Sequence, residues 1–118
     1  MKRLIASALL CAFSAMPAAA QSIGGGYDVA GTNFDGSPYS GTAEITLTSE
    51  TTCVIEWTTG STTSQGICMR NDDAFAAGYI LGDEIGLVVY KVMPDGSLHG
   101  LWTIAGKEGN GTELLTPQ

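Results

Sequence analysis

Hydrophobic and polar residues alternate along much of this chain with the two-residue period of β-strands. Over residues 39–47, the odd positions are apolar or glycine and the even positions are polar, which predicts a strand with one buried face. The same period recurs over residues 52–58, where Cys53, Ile55 and Trp57 share one side and β-branched residues are frequent. The pattern predicts an all-β domain.

Turn-forming residues divide this pattern at intervals of roughly ten residues, as in an antiparallel meander of short strands. Eight strands are predicted, at residues 25–31, 38–48, 52–59, 63–69, 74–81, 84–92, 97–105 and 111–116. Eight such strands can close into a small barrel, and a barrel-like sandwich of two sheets is the alternative. Glycines inside the strands favour the barrel, because tightly coiled strands bend where there is no Cβ. These glycines are Gly41, Gly66, Gly78, Gly86 and Gly100.

The first twenty residues have the three parts of an export signal. Lys2 and Arg3 precede a short apolar run at residues 4–16, and alanines at 18–20 supply the small residues that signal peptidase requires. The run is too short for a membrane anchor and has no charged flank after it. We predict a signal peptide at residues 1–20 and a single domain at residues 21–118, in the periplasm or outside a Gram-negative bacterium.

Removal of the signal changes the charge and the cysteine content. The formal net charge is −7 for the whole chain, and the loss of Lys2 and Arg3 leaves three basic residues against twelve acidic ones, a net charge of −9. This balance repels nucleic-acid phosphates and anionic lipid, so neither nucleic acid nor membrane insertion is expected. Cys11 leaves with the signal, and we expect Cys53 and Cys68 to form a disulfide in an oxidising compartment.

The spacing of the two cysteines specifies a hairpin register. A turn centred between Gly60 and Ser61 places Cys53 opposite Cys68. The same register pairs Ile55 with Gly66 and Trp57 with Ser64. A four-residue loop over 59–62 would make the cysteines a closely spaced pair without ladder hydrogen bonds, whereas a two-residue loop would make them a hydrogen-bonded pair. Because the Cβ atoms of a disulfide lie about 3.8 Å apart, we predict the wider loop.

Several short stretches carry a resemblance to a known family. They are GYDVAGTN at residues 26–33, DGS-x-Y-x-G at 35–41, GICMR at 66–70, GLVVY at 86–90, L-x-G-x-WT at 98–103 and GTE at 111–113. Together they resemble a family of small exported proteobacterial proteins, often labelled fibronectin-binding or hypothetical. That family has no established activity, cofactor or catalytic residue, so the resemblance assigns no site. The broader shape is similar to avidin-like and lipocalin-like barrels.

Residues suited to catalysis or metal binding are few. His99 is the single histidine, and the alternation of its strand points it away from the apolar face, which argues against a triad or a metal site. No cysteine or histidine pair has the spacing of a zinc site, and acidic pairs such as Asp72 and Asp73 stand beside turns. We therefore predict a non-enzymatic protein without catalytic, cofactor-binding or metal-binding residues.

Four aromatic residues are candidates to line a ligand site. Tyr39, Trp57 and Trp102 fall on the apolar sides of their strands, and Tyr90 joins them if its phase also faces inward. The simpler interpretation is a filled core, because a domain of this size has little spare volume, and a lined pocket is the alternative.

Two functions remain open from sequence. The first is an exported binding module that recognises a small apolar ligand at the barrel mouth, or a protein partner through its loops and rim. The second is a periplasmic inhibitor or envelope-protective protein, whose acidic surface suits a basic hydrolase such as a lysozyme. An open mouth lined by Trp57, Tyr90 and Trp102 would favour a ligand, and a filled interior with an apolar rim would favour a protein.

Overall fold

The strands follow one another around a closed antiparallel barrel, in a computed structural model that describes residues 22–118. They are β1 Gly25–Thr32, β2 Pro38–Leu47, β3 Thr52–Thr59, β4 Thr62–Asn71, β5 Ala74–Leu81, β6 Glu84–Val92, β7 Leu98–Ile104 and β8 Gly111–Pro117. Each strand pairs with the next, and β8 pairs with β1 to close the barrel. The predicted barrel is confirmed and the sandwich is excluded. The predicted signal peptide lies outside the described residues.

One end of the barrel is filled by the core, and we call it the closed end. Phe75, Leu98 and Leu115 are fully buried there or near the middle of the interior. Ile23, which precedes β1, is buried as well, and its carbonyl oxygen accepts a hydrogen bond of 2.7 Å from the hydroxyl of Tyr27. The opposite end, at which β1 finishes, is the open end. Within residues 22–118 no helix has the length and apolar character needed to cross a membrane.

The predicted register of the β3–β4 hairpin is confirmed. Cys53 pairs with Cys68 and the two form a disulfide, with Cα atoms 5.0 Å apart. The other two predicted pairs, Ile55 with Gly66 and Trp57 with Ser64, are also present. This separation of the Cα atoms lies within the range that a disulfide spans, so the bridge fits the hairpin without a wider loop.

The predicted four-residue loop is wrong. Thr59 pairs with Thr62, so only Gly60 and Ser61 remain in the loop. Gly60 has a φ of 62°, and a two-residue hairpin loop needs such a left-handed conformation at its first position. Glycine adopts this conformation without steric cost, and this turn chemistry determines the loop length.

The sequence analysis linked the five strand glycines to bends in coiled strands. In the structure, the surroundings of these glycines differ. A Cβ would lie 2.0 Å from a backbone oxygen of the adjoining strand at Gly41 and 2.2 Å from one at Gly66, so these two do mark close approaches of coiled strands. At Gly86 and Gly100 the nearest atoms belong instead to aromatic rings. Gly78 faces outward, and its nearest neighbour would be 4.0 Å away. At these last three positions the glycine is therefore not required by a close approach of two backbones.

We predict that the exported protein has the intact mass of residues 21–118 with one disulfide. Alkylation should add no mass before reduction and two groups after it, because Cys53 and Cys68 are bonded to each other. A ring of about fifteen residues contributes roughly 3 kcal/mol in the loop-entropy model, so reduction should lower the free energy of unfolding by up to that amount. A full-length mass would contradict the signal peptide, and two thiols that react without reduction would contradict the disulfide.

Candidate functional site

A cavity of about 500 Å³ occupies the open end of the barrel. Its wall contains the rings of Tyr39, Trp57, Tyr79 and Trp102, and the carboxyl group of Glu113 also lines it. The interior is thus packed with side chains at the closed end and lined by them at the open end. The filled-core interpretation therefore applies to the closed half of the barrel, and the lined-pocket interpretation applies to the open half.

One row of residues across five strands positions the carboxyl group. Glu113 on β8 lies opposite Gly31 on β1 and Gly100 on β7, and these glycines lie opposite Tyr39 on β2 and Tyr90 on β6. A Cβ would lie 2.4 Å from the ring of Tyr39 at Gly31, and 2.5 Å from the ring of Tyr90 at Gly100. Each tyrosine ring therefore lies over the glycine of the adjacent strand. Its hydroxyl extends past that glycine and reaches Glu113 on the following strand.

Three neutral groups donate hydrogen bonds to Glu113. The hydroxyl of Tyr39 donates to Oε1 at 2.6 Å, and the indole N–H of Trp57 donates to Oε2 at 2.9 Å. The hydroxyl of Tyr90 donates to the same Oε2 atom. Glu113 is only 8% exposed, and burial of a carboxylate is costly unless such donors replace its hydration.

Two further rings of the wall lie over glycines in the same way. Tyr79 lies opposite Gly86, where a Cβ would be 2.1 Å from its ring, and Trp102 lies opposite Gly111, where the distance would be 2.3 Å. The hydroxyl of Tyr79 donates to a backbone oxygen of β7 at 3.1 Å, and the indole N–H of Trp102 donates to one of β8 at 3.2 Å. These bonds fix the orientation of both rings.

The rings also pack against each other in two groups. Trp57 and Tyr79 meet edge to face with ring centroids 5.2 Å apart on one side of the cavity. On the other side, Trp102 lies 6.2 Å from Tyr39 and 4.9 Å from Phe34, which belongs to the β1–β2 loop. Such pairs restrict the motion of the rings, so the cavity has a largely preformed wall.

The structure places three of the four candidate aromatic residues, Tyr39, Trp57 and Trp102, on the cavity wall. Tyr90 is fully buried and reaches the site through its hydroxyl. The sequence analysis did not select Glu113 or Tyr79. For Glu113 a signal was present, because Gly111, Glu113 and Leu115 share the inward phase of β8.

The rim of the open end is acidic. Asp35, Asp83, Glu84 and Glu108 lie on or beside its loops, together with the single basic residue Lys107. The ammonium group of Lys107 lies 3.3 Å from a carboxylate oxygen of Glu84, and both side chains are substantially exposed. The rim therefore presents net negative charge around the cavity mouth.

The outer surface carries an exposed apolar patch, which we call the outer apolar face. It consists of Val54, Ile67, Met69, Ile80, Ile85, Leu87, Val89 and Leu101, on strands β3 to β7. Ile67 and Leu87 flank the outward-facing Gly78 in one row, which leaves a depression between them. Exposed apolar patches of this kind mark interaction surfaces more often than isolated apolar residues do.

His99 is exposed on the outside of β7, as the alternation predicted. Across residues 22–118, no group of three or more histidine, cysteine, aspartate or glutamate side chains is arranged to hold a metal ion.

We predict that the three tyrosines of the site, Tyr39, Tyr79 and Tyr90, ionise well above pH 10, and that the pKa of Tyr27 is also raised. Burial raises the pKa of Tyr79 to about 12, with a further contribution from the charge of Glu113. Burial, and then the same negative charge, also raise the pKa of Tyr39 and Tyr90, and burial raises that of Tyr27. Because an unfolded tyrosine has a pKa of about 10, the contribution of the tyrosines to the free energy of unfolding should be constant well below that pH and fall above it.

The absorbance of tyrosinate at 295 nm measures the ionised fraction of the tyrosines. It should remain low at pH 10 in the folded protein and reach half of its full value there in guanidinium. Half-ionisation of the folded protein at pH 10 would contradict the arrangement described here.

No protein-family profile matches this sequence, and no curated protein is significantly similar to it. Solved structures of similar fold include two designed β-barrels. A redesigned β-barrel is 19% identical with a TM-score of 0.71, over 89% of this chain and 99% of that one. A de novo designed fluorescence-activating β-barrel is 19% identical with a TM-score of 0.66, over 87% of this chain and 100% of that one. These similarities place the chain among small β-barrels.

Proposed function

We propose that residues 21–118 form an exported, non-enzymatic binding module that takes a small, mainly apolar ligand into the open end of the barrel. The cavity carries this proposal: aromatic rings line it, and a buried, hydrogen-bonded carboxylate lies on its wall. An apolar cleft with a few fixed polar groups is the usual form of a small-molecule site. An eight-stranded barrel has an interior of the size for one such ligand.

The two tyrosines that donate to Glu113 are suited to act as fixed donors rather than as general acids or bases. A general acid or base works best when its pKa lies near the working pH. The pKa of each of the two tyrosines that donate to Glu113, Tyr39 and Tyr90, is raised, so both keep their protons at neutral pH. They serve as fixed donors that hold the carboxylate in place.

The disulfide supports export. Bonds of this kind form and persist in the periplasm and outside the cell, and are rare in the cytosol. A disulfide between Cys53 and Cys68, together with the export signal at residues 1–20, is the reason for placing the module outside the cytoplasm.

We predict that the domain binds the neutral aromatic probe 2-naphthylmethanol with a Kd below about 1 mM, a value in keeping with the usual efficiency of so small a ligand. Ser64 lines the cavity opposite Trp57, so Ser64→Phe should fill the space and weaken binding by about tenfold or more. The exposed neighbour Thr63 faces outward, and Thr63→Phe is the matched control that should bind normally. Equilibrium dialysis measures the Kd of the probe for the wild-type domain and for both variants. Absence of binding, or equal loss in both variants, would contradict the proposal.

The outer apolar face favours a second candidate function, inhibition of a basic hydrolase such as a lysozyme. This patch lies on the outside of the wall, separate from the cavity, and exposed apolar patches of this kind mark protein interaction surfaces. With a net charge of −9 after removal of the signal, the domain is electrostatically complementary to a basic partner.

Under this second function, we predict that a stoichiometric amount of the domain slows cell-wall hydrolysis by a lysozyme. Ile67→Ser and Leu87→Ser, in the centre of the outer apolar face, should each weaken the inhibition by about tenfold. Thr42→Ser, an exposed position on β2 outside the patch, is the control and should leave it unchanged. Full lysozyme activity in the presence of the wild-type domain would rule this function out.

A further inference from the structure

We infer that the ligand of the cavity is an organic ammonium ion, with at least one N–H group on its nitrogen and an aromatic or aliphatic body. The inference rests on the proposed function, because it requires the cavity to bind a small molecule. Three features of the described residues support it: the remaining hydrogen-bonding capacity of Glu113, the aromatic wall and the acidic rim.

The first feature is the carboxylate itself. Its two oxygens offer about four lone-pair sites. Oε1 accepts one hydrogen bond, from Tyr39, and Oε2 accepts two, from Trp57 and Tyr90. All three donors are neutral and leave the negative charge uncancelled, and Oε1 has capacity for one more donor. An ammonium N–H supplies both a hydrogen bond to that oxygen and the compensating positive charge, whereas a hydroxyl supplies only the hydrogen bond.

The second feature is the set of rings around this carboxylate. Tyr39, Trp57, Tyr79 and Trp102 all line the same cavity as Glu113. A cation within about 6 Å of a ring centroid is attracted to the ring face, most strongly to tryptophan and in sites shielded from water. An ammonium group at Glu113 therefore occupies the same cavity as these electron-rich rings, and its hydrocarbon body packs on their surfaces. An anion of the same shape would be repelled by both.

The third feature is the charge at the entrance. Four acidic residues, Asp35, Asp83, Glu84 and Glu108, surround the mouth with Lys107, and Lys107 already contacts Glu84. Clefts surrounded by one sign of charge raise the local concentration of ligands of the opposite sign. The rim and the interior thus select the same kind of ligand.

A set of three naphthalene probes tests the inference with the wild-type domain. 2-Naphthylmethylamine is a cation at pH 7, 2-naphthylmethanol is neutral and 2-naphthoate is an anion, and the three have nearly the same shape. Equilibrium dialysis should show the amine binding about tenfold more tightly than the alcohol, and the anion binding most weakly. Added sodium chloride should weaken binding of the amine and leave that of the alcohol unchanged.

The outcomes separate the inference from the proposed function. If the alcohol binds as tightly as the amine or more tightly, the cavity is a ligand site and the ammonium inference is wrong. If none of the three probes binds, the proposed function fails as well. Tightest binding of the anion would also overturn the inference.

Glu113→Gln removes the charge with little change of shape, and should reduce the affinity for the amine to that for the alcohol. Glu50→Gln is the matched control, because Glu50 is exposed in the β2–β3 loop at the closed end, and it should retain the preference for the amine. Circular dichroism establishes that each variant is folded. If Glu113→Gln does not fold, the comparison of the three probes on the wild-type domain still decides the inference.

Discussion

The open half of the barrel depends on the burial of one carboxylate. Glu113 is carried by β8, yet its hydrogen-bond donors come from β2, β3 and β6, none of which pairs with β8. Removal of a carboxylate from water costs several kcal/mol even after relaxation. Hydrogen bonds to a charged group return about 1.5–3 kcal/mol each, so three of them are of the magnitude required. The donors must therefore stay in place, and this requirement fixes the rings that carry them.

Glycines make this arrangement sterically possible. A tyrosine that lies flat over the neighbouring strand needs a position there without a Cβ, and Gly31 and Gly100 provide it on the two sides of Glu113. The same pairing places Tyr79 over Gly86 and thereby forms another part of the wall. Pairs of an aromatic ring and a glycine on adjacent strands are a known means of stabilising curved sheets. In this barrel these pairs also direct the tyrosine hydroxyls toward the interior. The same residues therefore support the curvature of the sheet and form the site.

The sequence predicted the local features well, because they depend on neighbours along the chain. Alternation located every strand to within two residues, and the positions of Cys53 and Cys68 specified the β3–β4 register. The loop between those strands was predicted too long, because the preferred geometry of a disulfide was given more weight than the turn preference of Gly60.

The site was harder to predict, because it depends on strands that are distant in sequence. The inward phase of Glu113 could be read from its strand, but its donors on β2, β3 and β6 come together only when the barrel closes. The role of Gly100 likewise depends on which ring lies on the adjacent strand, and the register of β6 with β7 decides that. Hydrophobic period alone contains no such information.

Closure of the barrel also determines when in folding the site first exists. Seven of the eight strand pairings join neighbours in the chain, but the pairing of β1 with β8 brings together residues such as Thr32 and Thr112, eighty positions apart. Contacts between distant residues carry the larger loop-closure cost and form slowly. Until β8 docks, Tyr39, Trp57 and Tyr90 lack the carboxylate of Glu113 as their shared acceptor, and the cavity lacks its charge. The complete cavity with its charged group therefore exists only after the barrel has closed, and a chain that stalls before closure has strands and a disulfide but an incomplete cavity.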